Sequence, residues 1–124
     1  MDFFPTFVHA AGGSTDKIKQ LEGLDLKPLF EGAEKLDRDS LYWHMPHNRM
    51  EVSHYMGGTI LEGDWKYYHG YGLIEDKLFN LKEDSMETNN LIGKHPDLAK
   101  RLKAKHNAWL KKVSAKMPKA LSKK

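Results

Sequence analysis

The chain has 124 residues, of which 40% are hydrophobic and 30% charged, a composition ordinary for a globular domain, and it contains no cysteine. Its length allows one modest hydrophobic core, and no apolar run reaches the roughly 20 residues of a membrane-spanning helix. The absence of cysteine excludes disulfides, thiolate metal sites and thiol nucleophiles within this sequence.

The charge is distributed unevenly along the chain. Residues 100–124 carry ten Lys or Arg and no acid, whereas residues 1–99 carry ten Lys or Arg and seventeen acids. A basic segment of this kind can bind an anionic polymer, or it can be the solvated face of a helix followed by a lysine-rich tail. Because it lacks the interleaved aromatic residues of a single-strand binding platform, we expect no nucleic-acid partner, and we expect no membrane partner.

The first 40 residues predict short helices. Asp2 can cap a helix whose first turn contains Pro5, and a Gly-Gly pair ends it. Its apolar residues follow helical spacing: Phe3, Phe4, Phe7, Val8 and Ala11. A second apolar group around Pro28 suits a short helical turn that docks on a larger body. The polar stretch 33–40 is then the expected linker.

From Leu41 onward the pattern changes from helix to strand. Residues 47–56 are rich in His and Met and lack periodicity, so they are predicted to form a loop. A short turn containing Gly at residues 62–64 lies between two β-rich segments, which is a hairpin signal. These features predict a meander of about four short antiparallel strands that ends at Leu81.

The last element predicts a long helix. Pro96 stands at about the first helical position and is followed by an acid, which the helix dipole favours in the first turn. One stripe of the helix is predicted to lie on the sheet, with Leu102 and Trp109 buried, and Pro118 is predicted to end the helix. The stripe comprises Leu98, Leu102, Lys105, Trp109, Val113 and Met117.

These elements together predict an α+β fold. An antiparallel sheet of about four strands packs against one long C-terminal helix, and a short helical segment precedes the sheet. Residues 1–40 form the helical segment and its linker, and residues 41–124 form the sheet and the helix.

Residues 78–91 join a strand, a polar turn and the approach to a helix in one continuous signal. The polar residues of the turn have short side chains that can bond local backbone. This segment resembles the LYDLxxDPxExxNL element near the C-terminus of the sulfatases, the formylglycine-dependent sulfuric ester hydrolases. It differs where Ser85-Met86 replaces the common Pro-Gly.

Five other segments resemble sulfatase motifs in the same order along the chain. They are Asp2 to Gly12 (DxxPTLLxLAG), Gly23 to Gly32 (DGxSLLPLLxG), Tyr42 to His47 (WHxPH), Gly63 to Tyr67 (GDWKY) and His95 to Pro118 (HPELAxxLxxxLxxW, then AxMP). The chain therefore resembles the C-terminal portion of a bacterial-type sulfatase. The resemblance implies that residues 1–40 come from the edge of a catalytic α/β domain, on which they would dock, and that residues 41–124 form the C-terminal subdomain.

The resemblance also implies that the catalytic groups lie elsewhere. Sulfatases make their formylglycine from Cys or Ser in a Cys/Ser-x-Pro-x-Arg motif and use a calcium ion, and this sequence has neither Cys nor a Ser in that context. We therefore expect no catalytic residue, metal ligand or cofactor in this chain, whereas the complete enzyme would use calcium and formylglycine. Whether the chain counts as an enzyme stays open.

His44 and His47 are the candidate substrate-binding residues, because their loop lies near the active-site mouth in sulfatases. They can also be structural or exposed histidines, or form a metal site with His54 or His69. A spacing of three on or after a strand points the two rings in different directions, which disfavours a metal. The three tryptophans are expected to anchor the core rather than to stack on a sugar.

Two functions stay open. In the first, the chain is the C-terminal subdomain of a sulfatase, contributes fold stability and part of the substrate rim, and packs on a missing N-terminal catalytic domain. The complete enzyme would act on a sulfated glycan or an aryl sulfate, and family members are often periplasmic or secreted. The alternative is a stand-alone module that binds anionic polymers through its basic C-terminal helix. The apolar residues of segment 1–32 would also permit self-association.

Overall fold

The computed structural model describes residues 1–19, 21–46, 56–72 and 74–117, and it contains two compact units, Met1–Arg38 and Asp39–Lys124. The elements in chain order are α1 (Phe3–Ala10), α2 (Lys27–Phe30), β1 (Leu41–Met45), β2 (Gly57–Glu62), β3 (Trp65–Gly70), β4 (Lys77–Asn80) and α3 (Pro96–Lys112). The predicted α+β class, with a four-stranded antiparallel sheet and a long C-terminal helix, is confirmed. Among the described residues, no helix is both long and apolar enough to cross a membrane.

Both short helices of the first unit end at a glycine. Gly12 has φ 78° and Gly32 has φ 99°, a left-handed conformation that glycine adopts without steric cost. The amide of Gly13 bonds the carbonyl of Val8 at 2.9 Å, and the amide of Ala33 bonds the carbonyl of Pro28 at 2.8 Å. These are the backbone bonds of a Schellman motif, so the predicted glycine stop of α1 is confirmed.

Asp2 has a different role from the predicted helix cap. Its side chain makes no capping hydrogen bond to α1. Instead its carboxylate accepts hydrogen bonds from the Arg38 guanidinium, at 2.9 Å from Nη1, and from the Leu24 amide at 3.0 Å. The buried Thr6 hydroxyl accepts the amide of Leu26 at 2.9 Å. The capping prediction is wrong because a charged donor 36 residues away along the chain competes for the same carboxylate.

The second unit is a meander with strand order β1-β2-β3-β4, all antiparallel. The predicted hairpin turn joins β2 to β3, and its Gly63 has φ 56°. The register places one residue from each strand in a row: Tyr42, Ile60, Tyr67 and Leu78. The last three are buried with Ala99 and Leu102 of α3, so the core lies between the helix and this face of the sheet.

The stripe of α3 that packs on the sheet is rotated by one residue from the predicted stripe. Its buried residues are Ala99, Leu102, His106 and Leu110. Trp109 is only partly buried and stacks on Tyr42, with ring centroids 5.0 Å apart and planes 8° apart. Burial of Leu102 is therefore confirmed, whereas full burial of Trp109 is not found.

α3 ends at Lys112, and the predicted end at Pro118 is wrong. Ser114 adopts φ 52°, its amide bonds the carbonyl of Lys111 at 3.1 Å, and the amide of Ala115 bonds the carbonyl of Leu110 at 2.9 Å. Ser114 thus takes the place that glycine usually has in a Schellman motif. Pro118 itself lies outside the described residues.

Segment 78–91 forms a turn held by two side chains. Asp84 accepts the amide of Asn89 at 2.8 Å and the hydroxyl of Thr88 at 3.1 Å. Asn90 accepts the amide of Leu78 at 3.0 Å, and the next amide, of Leu91, bonds the Leu78 carbonyl at 2.8 Å. These bonds return the chain to β4 before α3 begins, which explains the short polar residues of this segment.

Candidate functional site

His44, near the end of β1, is held by hydrogen bonds at both ring nitrogens. Nδ1 lies 2.8 Å from the Tyr71 hydroxyl, and Nε2 lies 3.1 Å from the carbonyl oxygen of Lys116. A carbonyl oxygen only accepts, so in the neutral ring Nε2 carries the proton and Nδ1 accepts from Tyr71. Burial raises the pKa of Tyr71 to about 12, so its hydroxyl keeps the proton that it donates. His47 and His54 lie outside the described residues.

A second pair of histidines lies beside this contact. His106 is fully buried, with Nδ1 3.3 Å from Nδ1 of His69 and Nε2 3.3 Å from the carbonyl oxygen of Trp43. The ring of His69 also packs edge-on against Tyr71. In the described part of the chain, no group of three or more His, Cys, Asp or Glu side chains is placed to hold a metal ion.

Sequence reasoning did not assign a role to Tyr71 or His106. A signal for His106 existed, because it stands four residues after Leu102 and four before Leu110, on the stripe that helical periodicity defines. No comparable periodicity marks Tyr71, which follows the last residue of β3.

The three tryptophans occupy different positions. Trp109 stacks on Tyr42, and Trp65 is half-buried with its ring edge-on to His95 at a centroid distance of 5.0 Å. Trp43 is 48% exposed and lines an open, largely apolar cavity of about 380 Å³ on the sheet, together with Met45 and Tyr68. The expectation of core anchoring thus fits Trp65 and Trp109 better than Trp43.

Several cations of α3 are paired with acids of the sheet unit. Arg101 and Lys105 each lie 2.5 Å from a carboxylate oxygen of Glu62, and Lys103 lies 2.7 Å from Asp76. Burial opposes ionisation of Glu62, but the hydrogen bonds from Lys105 and Arg101 outweigh it and lower the pKa of this carboxyl. These cations therefore hold α3 on the sheet.

No family model matches the chain. The chain is 30% identical over 129 residues to a sulfatase of Formosa agariphila, a match that covers 93% of this chain and 23% of that protein. It is 32% identical over 98 residues to an N-acetylglucosamine-6-O-sulfatase of Bacteroides thetaiotaomicron, covering 76% of this chain and 17% of that protein.

A solved structure has the same fold over nearly the whole chain. It is the structure of a protein in complex with its substrate D-glucosamine-2-N,6-O-disulfate, with a TM-score of 0.72 and 27% identity, and the match covers 94% of this chain and 24% of that one. The chain thus spans 23% and 17% of the curated relatives described above. The expected resemblance to sulfatases is confirmed.

Proposed function

We propose that this chain, a C-terminal portion of a bacterial-type sulfatase, supplies the C-terminal subdomain of an enzyme that hydrolyses sulfate esters. The observation that carries the proposal is a similarity that extends over 93% of the chain to a sulfatase of which it covers 23%. The fold agrees, since a structure bound to a sulfated glucosamine matches with a TM-score of 0.72.

The subdomain would not hydrolyse sulfate esters without its catalytic partner. The sequence lacks a Cys and lacks a Ser in the Cys/Ser-x-Pro-x-Arg context. In this proposal the formylglycine nucleophile and the calcium ion both belong to an N-terminal α/β domain. The contribution of the present chain is then stability and the shape of the substrate site.

Exposed aromatic residues of the first unit support a missing partner. Phe3, Phe7 and Phe30 are 62%, 66% and 74% exposed, and the rings of Phe3 and Phe7 stack at 5.8 Å. Soluble monomers rarely expose such residues in groups. The α/β domain would cover them, and in its absence a second copy of the chain can do so.

The end of β1 is the proposed contribution to the substrate rim. His44 has an orientation fixed by Tyr71 and Lys116, so its ring is preorganised rather than free to rotate. His47, which lies outside the described residues, is proposed as a second substrate-binding residue of this rim. The relatives include an N-acetylglucosamine-6-O-sulfatase, which favours a sulfated amino sugar as the group that this rim meets.

The alternative function, a stand-alone module for anionic polymers, has less support. In the basic helix, Arg101, Lys103 and Lys105 already form ion pairs within the unit. Cations that hold a helix in place are poorly available to a polyanion, because binding would first have to break their existing pairs.

The proposal is tested by a domain exchange. The chain replaces the matching segment of the Formosa agariphila relative, and the chimera is produced in a host that matures formylglycine. We expect the chimera to hydrolyse an aryl sulfate or glucosamine-6-sulfate in the presence of calcium, and we expect the isolated chain to show no turnover above background.

Two controls complete the exchange. In the first control, the relative's own segment is joined again at the same two junctions, and activity of this protein shows that the junctions are tolerated. In the second control, the nucleophile residue of the chimera is replaced by Ala, which gives the background. Activity of the isolated chain that persists through repurification would contradict the proposal that the catalytic groups belong to the N-terminal domain. A folded chimera without activity beside an active control would contradict membership in such an enzyme.

A further inference from the structure

Two histidines connect α3 to the sheet inside the second unit. His106 is fully buried on the face of α3 that packs on the sheet. Its Nδ1 lies 3.3 Å from Nδ1 of His69 on β3, and its Nε2 lies 3.3 Å from the carbonyl oxygen of Trp43 on β1. One imidazole therefore joins the helix to two strands.

The partners fix the proton positions of the two rings. The carbonyl oxygen of Trp43 can only accept, so Nε2 of His106 carries a hydrogen. A neutral imidazole has a single N–H, which leaves a lone pair on Nδ1 of His106, and Nδ1 of His69 donates to it. A second proton on His106 would occupy that lone pair, and the contact would then persist only if His69 moved its own proton from Nδ1 to Nε2.

The sheet leaves space for this ring and for little else. A Cβ atom at Gly58 would lie 2.5 Å from Nε2 of His106 and 2.6 Å from the hydroxyl oxygen of Tyr71. The missing side chain thus allows the imidazole to lie directly on the β2 backbone. Since His106 has no exposed surface, an imidazolium there would lose its hydration.

The groups around the pair do not offer a free negative charge. His44 lies on the β1 side, Tyr71 and Tyr67 pack against His69, and the charged groups that act on His69 are Asp76 and Lys103. The Asp76 carboxylate is already occupied by Lys103 at 2.7 Å, by the Tyr67 hydroxyl at 2.6 Å and by the amide of Gly70 at 3.0 Å. A protonated His106 would therefore lack a counter-ion among these neighbours.

We infer that His69 and His106 form an acid-sensitive link between β3 and α3, which holds when His106 is neutral and breaks when His106 gains a second proton. The link goes beyond the proposed function, because it concerns the packing of the unit and not substrate hydrolysis. In acid, α3 loses its imidazole contact with β3.

The electrostatics of the two rings agree with this direction. Burial lowers the pKa of both His106 and His69 below the ordinary value; a nearby Asp76 opposes the effect at His69, and the bond to Trp43 opposes it at His106. In the unfolded chain these histidines have the ordinary pKa of about 6.5. Between that pH and the lower pKa of the folded state, the unfolded chain therefore binds more protons than the native state. The contribution of the two neutral histidines to the free energy of unfolding is therefore fully present above about pH 6.5, and it falls as the pH drops below that value.

The test is urea unfolding of the full 124-residue chain at pH 7.5 and pH 5.5, followed by tryptophan fluorescence. For one histidine that stays neutral in the folded state, the unfolding equilibrium constant rises about tenfold between these pH values. In His106→Gln the amide can still donate to Trp43 and accept from His69 but does not titrate. We expect the unfolding equilibrium constant of this variant to rise about tenfold less between pH 7.5 and pH 5.5 than that of the parent chain.

The matched control is His95→Gln, since His95 is exposed and stands at the N-terminus of the same helix. This variant should keep the pH dependence of the parent chain. A parent chain with equal stability at both pH values, or a His106→Gln variant with the full parental dependence, would overturn the inference.

A measurement on the unmodified chain covers the case in which His106→Gln does not fold. Nitrogen NMR of the imidazoles distinguishes the two neutral tautomers and the cation. We expect His106 at pH 7.5 to be neutral with its proton on Nε2. A proton on Nδ1 instead, or a cationic His106 in the folded chain at pH 6.5, would overturn the inference, whatever the outcome of the domain exchange.

Discussion

The two units of this chain are organised by different interactions. In Asp39–Lys124 the sheet and α3 bury a contiguous apolar core that includes Ile60, Tyr67 and Leu102. In Met1–Arg38 the buried side chains of α1 are only Pro5 and Thr6, while the aromatic residues face outward. The first unit has polar contacts of Asp2 and Thr6 that join α1 to residues 24, 26 and 38.

This difference indicates which unit carries its own stability. Burial of apolar surface is the dominant favourable contribution to folding, and hydrogen bonds add about 1 kcal/mol each because water competes for the same groups. The sheet and helix therefore have the means to fold as a unit. The aromatic residues that residues 1–38 expose agree with the proposal that an α/β domain covers them.

The largest expected effect comes from truncating the core of the second unit. Leu102→Ala removes a fully buried side chain between α3 and the sheet and should lower the free energy of unfolding by about 2–5 kcal/mol. The same substitution at Leu29, which is 38% exposed in α2, should cost well under half as much. Urea unfolding of both variants measures the contrast, and equal losses would show that both units share one core.

The next effect concerns the contact beneath His106. Gly58→Ala places a methyl group 2.5 Å from Nε2 of His106 and should cost about 1–3 kcal/mol through overpacking. Gly93→Ala is the control, because a Cβ atom there meets no atom within 4 Å. If thermal unfolding gave the two variants the same midpoint, the close packing of His106 on β2 would be disproved.

The fold was predictable from sequence wherever local signals agree with tertiary packing. Alternating apolar residues and the turn at Gly63 defined the meander, because a strand has the same period whichever partner it meets. The polar turn of segment 78–91 was likewise readable, since its Asp84 and Asn90 bond backbone a few residues away.

The errors occur where distant residues decide the outcome. Helical periodicity predicts a stripe of α3 one residue away from the observed one, because Trp109 is apolar and His106 is not. His106 is buried because Gly58 leaves space beneath it. Local sequence predicts a cap at Asp2 because the competing donor, Arg38, is remote in sequence. The hydrogen bonds of His44 depend on Tyr71 and Lys116, which no local pattern connects.

A smaller effect is expected from the polar network of the first unit. Arg38→Ala removes the charged donor to Asp2 and should cost about 1 kcal/mol, which corresponds to roughly fivefold faster amide exchange at Leu24. The exposed Lys27, which pairs with Glu31 at 3.5 Å, is the control site. Exchange at Leu24 that responds no more to Arg38→Ala than to Lys27→Ala would contradict the assigned role.

The same network predicts a different pH response for the two units. The hydrogen bond from Arg38 lowers the pKa of Asp2, although partial burial opposes this. Its contribution is therefore present above about pH 3.9 and is lost as the pH falls through the lower folded pKa. Between pH 7.5 and 5.5 the Leu24 amide should keep its protection while the second unit loses stability, and simultaneous loss in both units would contradict this separation.

The smallest effect on stability, and the clearest effect on association, is expected at the exposed aromatic residues. Phe3→Ser together with Phe7→Ser removes two rings that are more than half exposed, so the free energy of unfolding should change by no more than about 0.5 kcal/mol per site. The same change removes much of the apolar surface that a second copy or the α/β domain would cover. Light scattering at increasing concentration should therefore show self-association for the parent chain and less for the double variant, with Met86→Ser as a control because Met86 is 81% exposed but lies in the second unit. A parent chain that stays monomeric, with α1 amides as protected from exchange as those of α3, would mean that residues 1–38 are complete without a partner.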